Sequence, residues 1–118
     1  MKVFNKKDLA EKCKAAFGCK VVCYVDSDKA LSIIGVTSGS AEESVNTALN
    51  MGCDAFICGE VTHDRMLFAA DCGLTLIEVG HFYSEDIFCE DLVERLKSNF
   101  REVEIEKSAN SADVCSYV

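Results

Sequence analysis

The sequence predicts an α/β protein: a mixed, mostly parallel sheet with an antiparallel edge hairpin and helices on its faces, close to a three-layer α/β/α arrangement. Three observations lead there. Short apolar runs of strand length alternate with longer stretches of helical period. From residue 30 onward the order is β-α-β-α-β-α-β, which implies parallel strands joined by covering helices. Glycines fall at the ends of the periodic segments, where helices stop and strands turn.

Residues 6–17, "KKDLAEKCKAAF", place Leu9, Cys13, Ala16 and Phe17 at helical spacing, with Gly18 as the stop. "CKVVCYV" and "ALSIIGVTS" then read as two strands, joined into a hairpin by the polar turn "DSDK". "SGSAEESVNTALNMG" reads as a loop and a helix, with Ser40 and Glu43 as a capping box and Gly52 at the end. "DAFICG" is a strand, and "THDRMLFAADCG" a helix capped by Thr62 and closed by Gly73. After the strand "LTLIEVG" comes the longest helix, "SEDIFCEDLVERLKSNF", capped by Ser84, with Ile87, Phe88, Leu92, Val93, Leu96 and Phe100 on one face. "EVEI" is the last expected strand. The tail, residues 107–118, is expected to pack across the surface or a partner, within a single domain spanning 1–118.

The composition narrows the function classes. A chain of 118 residues supports one core. Its longest uncharged stretches fall short of the ~18 apolar residues that a membrane span needs. The opening residues form a mixed-charge amphipathic pattern unlike a signal peptide, so a cytoplasmic protein with no membrane partner is expected. The net charge is −8, and the twelve Lys and Arg are scattered. Nucleic-acid binding needs a basic stripe to displace counterions, and none is present. Eight cysteines occur without a C-x-x-C pair, which disfavours zinc ribbons and dithiol redox motifs. Most lie in apolar context and read as reduced, small core residues.

In open α/β sheets, ligands bind beyond the carboxyl ends of parallel strands. Three such junctions exist: "TSGS" at 37–40, "GEVTH" at 59–63 and "GHFYSE" at 80–85. Both histidines of the chain lie in them. His81 and Glu85 combine a neutral imidazole nitrogen with an anionic oxygen, a donor pair suited to zinc, manganese, iron or nickel. Glu85 equally suits a helix's first turn on electrostatic grounds alone, as does Asp86. Glu60 and His63 form the second constellation. Glu60 reads as a ligand, an acceptor for an imidazole N–H or a general base; alternatively, His63 and Asp64 simply decorate a helix start. "TSGS" reads weakly as an anion site, because it lacks the P-loop lysine and Glu42 and Glu43 repel phosphate.

"ALSIIGVTSGS", "GCDAFICGEVTHD", "GLTLIEVGHFYSE" and "SANSAD" resemble, in order, the carboxy-terminal half of the NGG-one-interacting-factor-three-like family. This is the dinuclear-metal family often labelled GTP cyclohydrolase I type 2. The most specific part is the pair of junctions "GE-x-[ST]-H" and "GH-x-x-x-E". The resemblance implies that His81 and Glu85 are metal ligands at the pocket edge and that His63 lies near the same pocket. It also implies ring-like homo-oligomers. The family's amino-terminal half supplies a His-His pair and an aspartate that have no counterpart here.

The expected function is therefore that of a single-domain member of a dinuclear-metal family, with enzymatic status open. As an enzyme it would carry out metal-assisted hydrolysis of a small, nucleotide-like substrate. His81 and Glu85 would hold a divalent ion (Zn, Mn, Fe or Ni), and Glu60 or His63 would move the proton. The alternative is a non-catalytic binding or assembly module that kept the fold and lost half of the metal site. A nucleotide-binding fold using "TSGS" is the third reading.

Overall fold

The computed structural model describes residues 5–118. The elements are α1 (Lys6–Phe17), β1 (Cys23–Val25), β2 (Ile34–Val36), α2 (Ser44–Asn50), β3 (Ala55–Cys58), α3 (His63–Asp71), β4 (Thr75–Glu78) and α4 (His81–Asn99). The sheet has the order β1-β4-β3-β2. β2, β3 and β4 run parallel, and β1 lies antiparallel against β4. This is the expected α/β class with its antiparallel edge.

The alternation of side chains along β3 and β4 builds two cores. Ala55, Ile57, Ile77 and Val79 face one side, where they pack with Leu9, Ala10 and Cys13 of α1 and with half-buried Tyr83 of α4. Phe56, Cys58, Leu74 and Leu76 face the other, against Val45 and Ala48 of α2 and Ala69 of α3. α1 forms because Asn5 accepts the Lys7 N–H at 2.9 Å and Gly18 takes a left-handed φ of 67° at its end.

Four local expectations are corrected. β1 and β2 do not form a hairpin but occupy opposite edges of the sheet. The turn residue Ser27 instead bonds to Thr75 at 2.8 Å, which fixes the chain beside β4, buried over Thr75–Ile77. Asp54 then accepts the N–H groups of Ser32 and Ile33, both at 3.0 Å, at the far edge. The capping box at Ser40 and Glu43 is absent, because Ser40 bridges to Glu60 and α2 begins at Ser44. "EVEI" is not a strand. Val103 stays exposed, and Lys107 returns the chain to α4 through Asp86 at 2.6 Å. The fourth correction concerns α4, which starts at His81 rather than after Ser84. Gly80 (φ 96°) turns the chain directly out of β4, and the Ser84 N–H already bonds the Gly80 carbonyl at 3.0 Å.

All eight cysteines are free, with Cys13, Cys19 and Cys58 buried and Cys23 and Cys115 exposed. Among the described residues, no helix is long and apolar enough to cross a membrane.

Candidate functional site

The three strand-end junctions meet. The ladder between β3 and β4 continues past the strands, with the Gly80 N–H bonding the Gly59 carbonyl at 2.8 Å. On its other side, the Glu60 N–H bonds the Gly39 carbonyl at 3.1 Å and the Ala41 N–H bonds the Glu60 carbonyl at 3.0 Å. Buried Ser84 accepts the Gly39 N–H and donates to the His81 carbonyl, each at 2.8 Å. The approach is close enough that a Cβ at Gly59 would sit 2.4 Å from the Gly39 carbonyl oxygen. Glycine there is a packing requirement.

Because α4 begins at His81, Glu85 lies one turn on, on the same helix face. The His81 Nε2 is 3.1 Å from Glu85 Oε1, and its Nδ1 is 2.7 Å from Glu60 Oε1. All three side chains are about half exposed. Gly39 (φ 65°) forms the floor, where a Cβ would lie 2.8 Å from Glu85 Oε1 and 3.5 Å from the imidazole. Set between two carboxylates, His81 holds its proton to higher pH than a free imidazole. The Glu60 hydrogen bond is the main cause, opposed by desolvation and aided by the charge of Glu85.

His81, Glu85 and Glu60 are thus brought together. His63 is not part of their hydrogen-bonded group. It opens α3, behind a Thr62 whose N–H and hydroxyl are both held by Glu42 at 2.7 and 2.9 Å. Among the described residues, no three His, Cys, Asp or Glu side chains form a group able to hold a metal ion. The geometry gives the reason: the two imidazole nitrogens point apart, so the two carboxylates flank the ring instead of closing on one point. Sequence reasoning passed over Gly39 as the floor and Ser84 as the tie between junctions. The glycine inside "TSGS" was the available signal for the first, whereas the second depends on where α4 begins.

The donor set can be tested against a metal. Two ligands ~2.1 Å from one ion lie ~3.0–3.4 Å apart in octahedral to tetrahedral geometry. The Nε2–Oε1 separation of 3.1 Å falls within that range. Nδ1 is meanwhile engaged by Glu60, as the second nitrogen of a metal-bound histidine commonly is by a carboxylate. The residues fit two positions of a coordination sphere.

An open, mostly parallel α/β sheet with a histidine and two carboxylates at its strand tips defines a class of α/β proteins with a strand-end polar site. The chain belongs to the Duf34/NIF3 (NGG1p interacting factor 3) family, whose model matches residues 2–113. A Haemophilus influenzae protein named GTP cyclohydrolase 1 type 2 homolog is 32% identical over 80 residues, covering 67% of this chain and 32% of its own length. A Staphylococcus aureus protein of the same name is 27% identical over 117 residues, covering 95% of this chain and 32% of its own. The chain therefore spans about a third of the length of the curated relatives it matches. Among solved structures, a Staphylococcus aureus hypothetical protein superposes with a TM-score of 0.86 at 24% identity, covering 95% of this chain and 39% of that one. A Bacillus cereus protein related to NIF3 superposes at 0.76 and 21%, covering 100% of this chain and 33% of that one. At these identities the likeness concerns fold alone.

Proposed function

We propose that His81 and Glu85 form two positions of a divalent-metal site, that Glu60 fixes the histidine's tautomer, and that the site serves hydrolysis of a small, nucleotide-like substrate. The observation that carries this reading is the 3.1 Å edge between Nε2 and Oε1 at the strand tips, where α/β sheets bind ligands. A bound divalent ion supplies Lewis acidity and an activated water. The chain's own residues do the rest. Glu60 accepts a hydrogen bond from the Nδ1–H, which keeps the proton on that nitrogen and would leave the Nε2 lone pair free for the ion. Gly39 keeps the floor open, and Ser84 locks the first turn of α4 to it. His63, at the next junction, is the nearest candidate in sequence for moving a proton. The name carried by the relatives supports a nucleotide-like substrate class. The eight free thiols suit a cytoplasmic, reducing setting.

Because two protein ligands are fewer than the three that catalytic sites generally use, the remaining positions fall to water, substrate or another polypeptide. The test is calorimetric titration with zinc and manganese, alongside elemental analysis of the purified chain. Binding that is lost in both His81→Ala and Glu85→Ala, and weakened about 10- to 100-fold in Glu60→Gln, is the expected result. A wild-type chain that takes up no ion would return it to the class of binding or assembly modules.

A further inference from the structure

β2 has the composition of an interior strand but lies at the edge of the sheet. Its run "LSIIGV" is apolar toward both sides, the pattern of a parallel strand covered on both faces. Only β3 borders it. Val36 is left 63% exposed, Ile33 52% and Ile34 37%. Edges of this kind are ordinarily blunted by a lysine, a proline or a bulge, and β2 carries none of them.

The ladder fixes which way its backbone faces. The Ile33 carbonyl accepts the Ala55 N–H at 3.2 Å, and the Thr37 N–H bonds the Ile57 carbonyl at 2.9 Å. Residues 33, 35 and 37 therefore face β3, and Ile34 and Val36 turn their N–H and C=O groups outward. The Ser32 N–H is already held by Asp54. On the α2 side of this edge lies a hollow of about 400 Å³, walled by Gly35, Thr47, Ala48, Met51, Cys53 and Phe56. Gly35 keeps it open, because a Cβ there would stand 3.1 Å from the Phe56 ring and 3.2 Å from Cys53 Sγ. Residues 30–41 and 44–53 hold no charged side chain in a chain that is 27% charged, so the strand and the helix beside it are neutral. Depletion of charge marks the centre of an interface.

We propose that β2 takes up an extended, uncharged segment of a different polypeptide as a further strand of the sheet. Main-chain bonds to Ile34 and Val36 hold the segment, and one of its side chains fills the hollow over Gly35. Side chains on its other face lie against Ile34 and Val36. A charged segment is disfavoured, because neither β2 nor α2 offers its charges a partner. A second copy of this chain fits less well. The antiparallel pairing that uses Ile34 and Val36 of both copies sets Gly35 opposite Gly35 and leaves both hollows empty.

The probe is a short blocked peptide of alternating valine and threonine, added to the whole chain in chelator so that the result is independent of the metal site. Amide exchange followed by NMR reads the edge. The Ile34 and Val36 N–H groups are expected to exchange at least about tenfold more slowly with the peptide, while the Gly35 N–H, already turned to β3, keeps its rate. The same peptide N-methylated at every residue keeps its side chains, loses its donors and is expected to protect neither. Val36→Lys weakens peptide binding at least about tenfold, and Val21→Lys, at a valine 53% exposed outside β2, leaves it within about twofold. Circular dichroism confirms that both variants are folded. The proposal is overturned by absent protection at Ile34 and Val36, by equal protection from the N-methylated peptide, or by a Val36→Lys chain that binds as the wild type does. Protection that appears in the chain alone and grows with its own concentration overturns it too, and assigns the edge to a second copy.

Discussion

The Ser84 hydroxyl oxygen accepts the Gly39 N–H at 2.8 Å, although the two residues lie 45 positions apart. This one contact joins the first turn of α4 to the loop after β2, and so sets His81 and Glu85 over their floor. Ser84→Ala leaves a buried N–H without a partner, at a cost of about 1–3 kcal/mol. Urea denaturation measures that loss, and metal affinity is expected to fall with it.

Gly39→Ala acts on the same place by a different route. The backbone is left-handed there, and the new methyl carbon would lie 2.8 Å from Glu85 Oε1. Backbone strain of about 1–2 kcal/mol follows from the conformation alone. Glu85 must also swing away from His81. Calorimetry should therefore show weaker metal binding than in Gly18→Ala, where φ is also positive (67°) but nothing lies within 4 Å of the added carbon.

Glu60→Gln should lower the pH at which His81 titrates, followed by NMR of the imidazole protons. The raised value rests chiefly on the Glu60 hydrogen bond, with Glu85 adding to it. The sign of the linkage is definite. A raised folded value contributes stability that is complete below the unfolded value, near 6.5, and that is lost as pH rises through the folded one. Glu60→Gln should accordingly narrow the stability gap between weakly acidic and alkaline buffer. An unchanged titration would remove Glu60 from its orienting role.

The tail gives the opposite sign. Asp86 is held below the usual carboxylate range by Lys107 first and by Ser111 next. Its stabilising effect is present above the unfolded value, near 3.8, and disappears as pH falls through the lowered folded one. Limited proteolysis with an acid-active protease should therefore cut near Lys107 sooner in strongly acidic than in weakly acidic buffer, and Asp86→Asn should be cut readily in both.

The helices and parallel strands were legible because their signals are local: spacing of apolar residues, and glycines at the ends. Edge pairing was not. "DSDK" has the composition of a hairpin turn, yet its Ser27 reaches Thr75 across 48 residues and sends β1 to β4. No pattern near residue 27 encodes that partner. The start of α4 was missed because Ser84 is a good capping residue, whereas Gly80 makes the turn through its backbone alone. The coincidence of His81 with Glu85 was readable from the rule that ligands gather at strand tips. Glu60 was readable as an acceptor for an imidazole N–H, but not that the ring is that of His81 and the nitrogen Nδ1, since that depends on which way the ring turns. The apolar face of α4 was visible as periodicity, but its exposure required the surrounding fold.

β3 and β4 lend alternate side chains to the layers above and below them, so neither layer owns a core that survives without the other. Heat should consequently take the chain apart in one sigmoidal transition, with the tyrosine fluorescence and the helical ellipticity changing at a common midpoint.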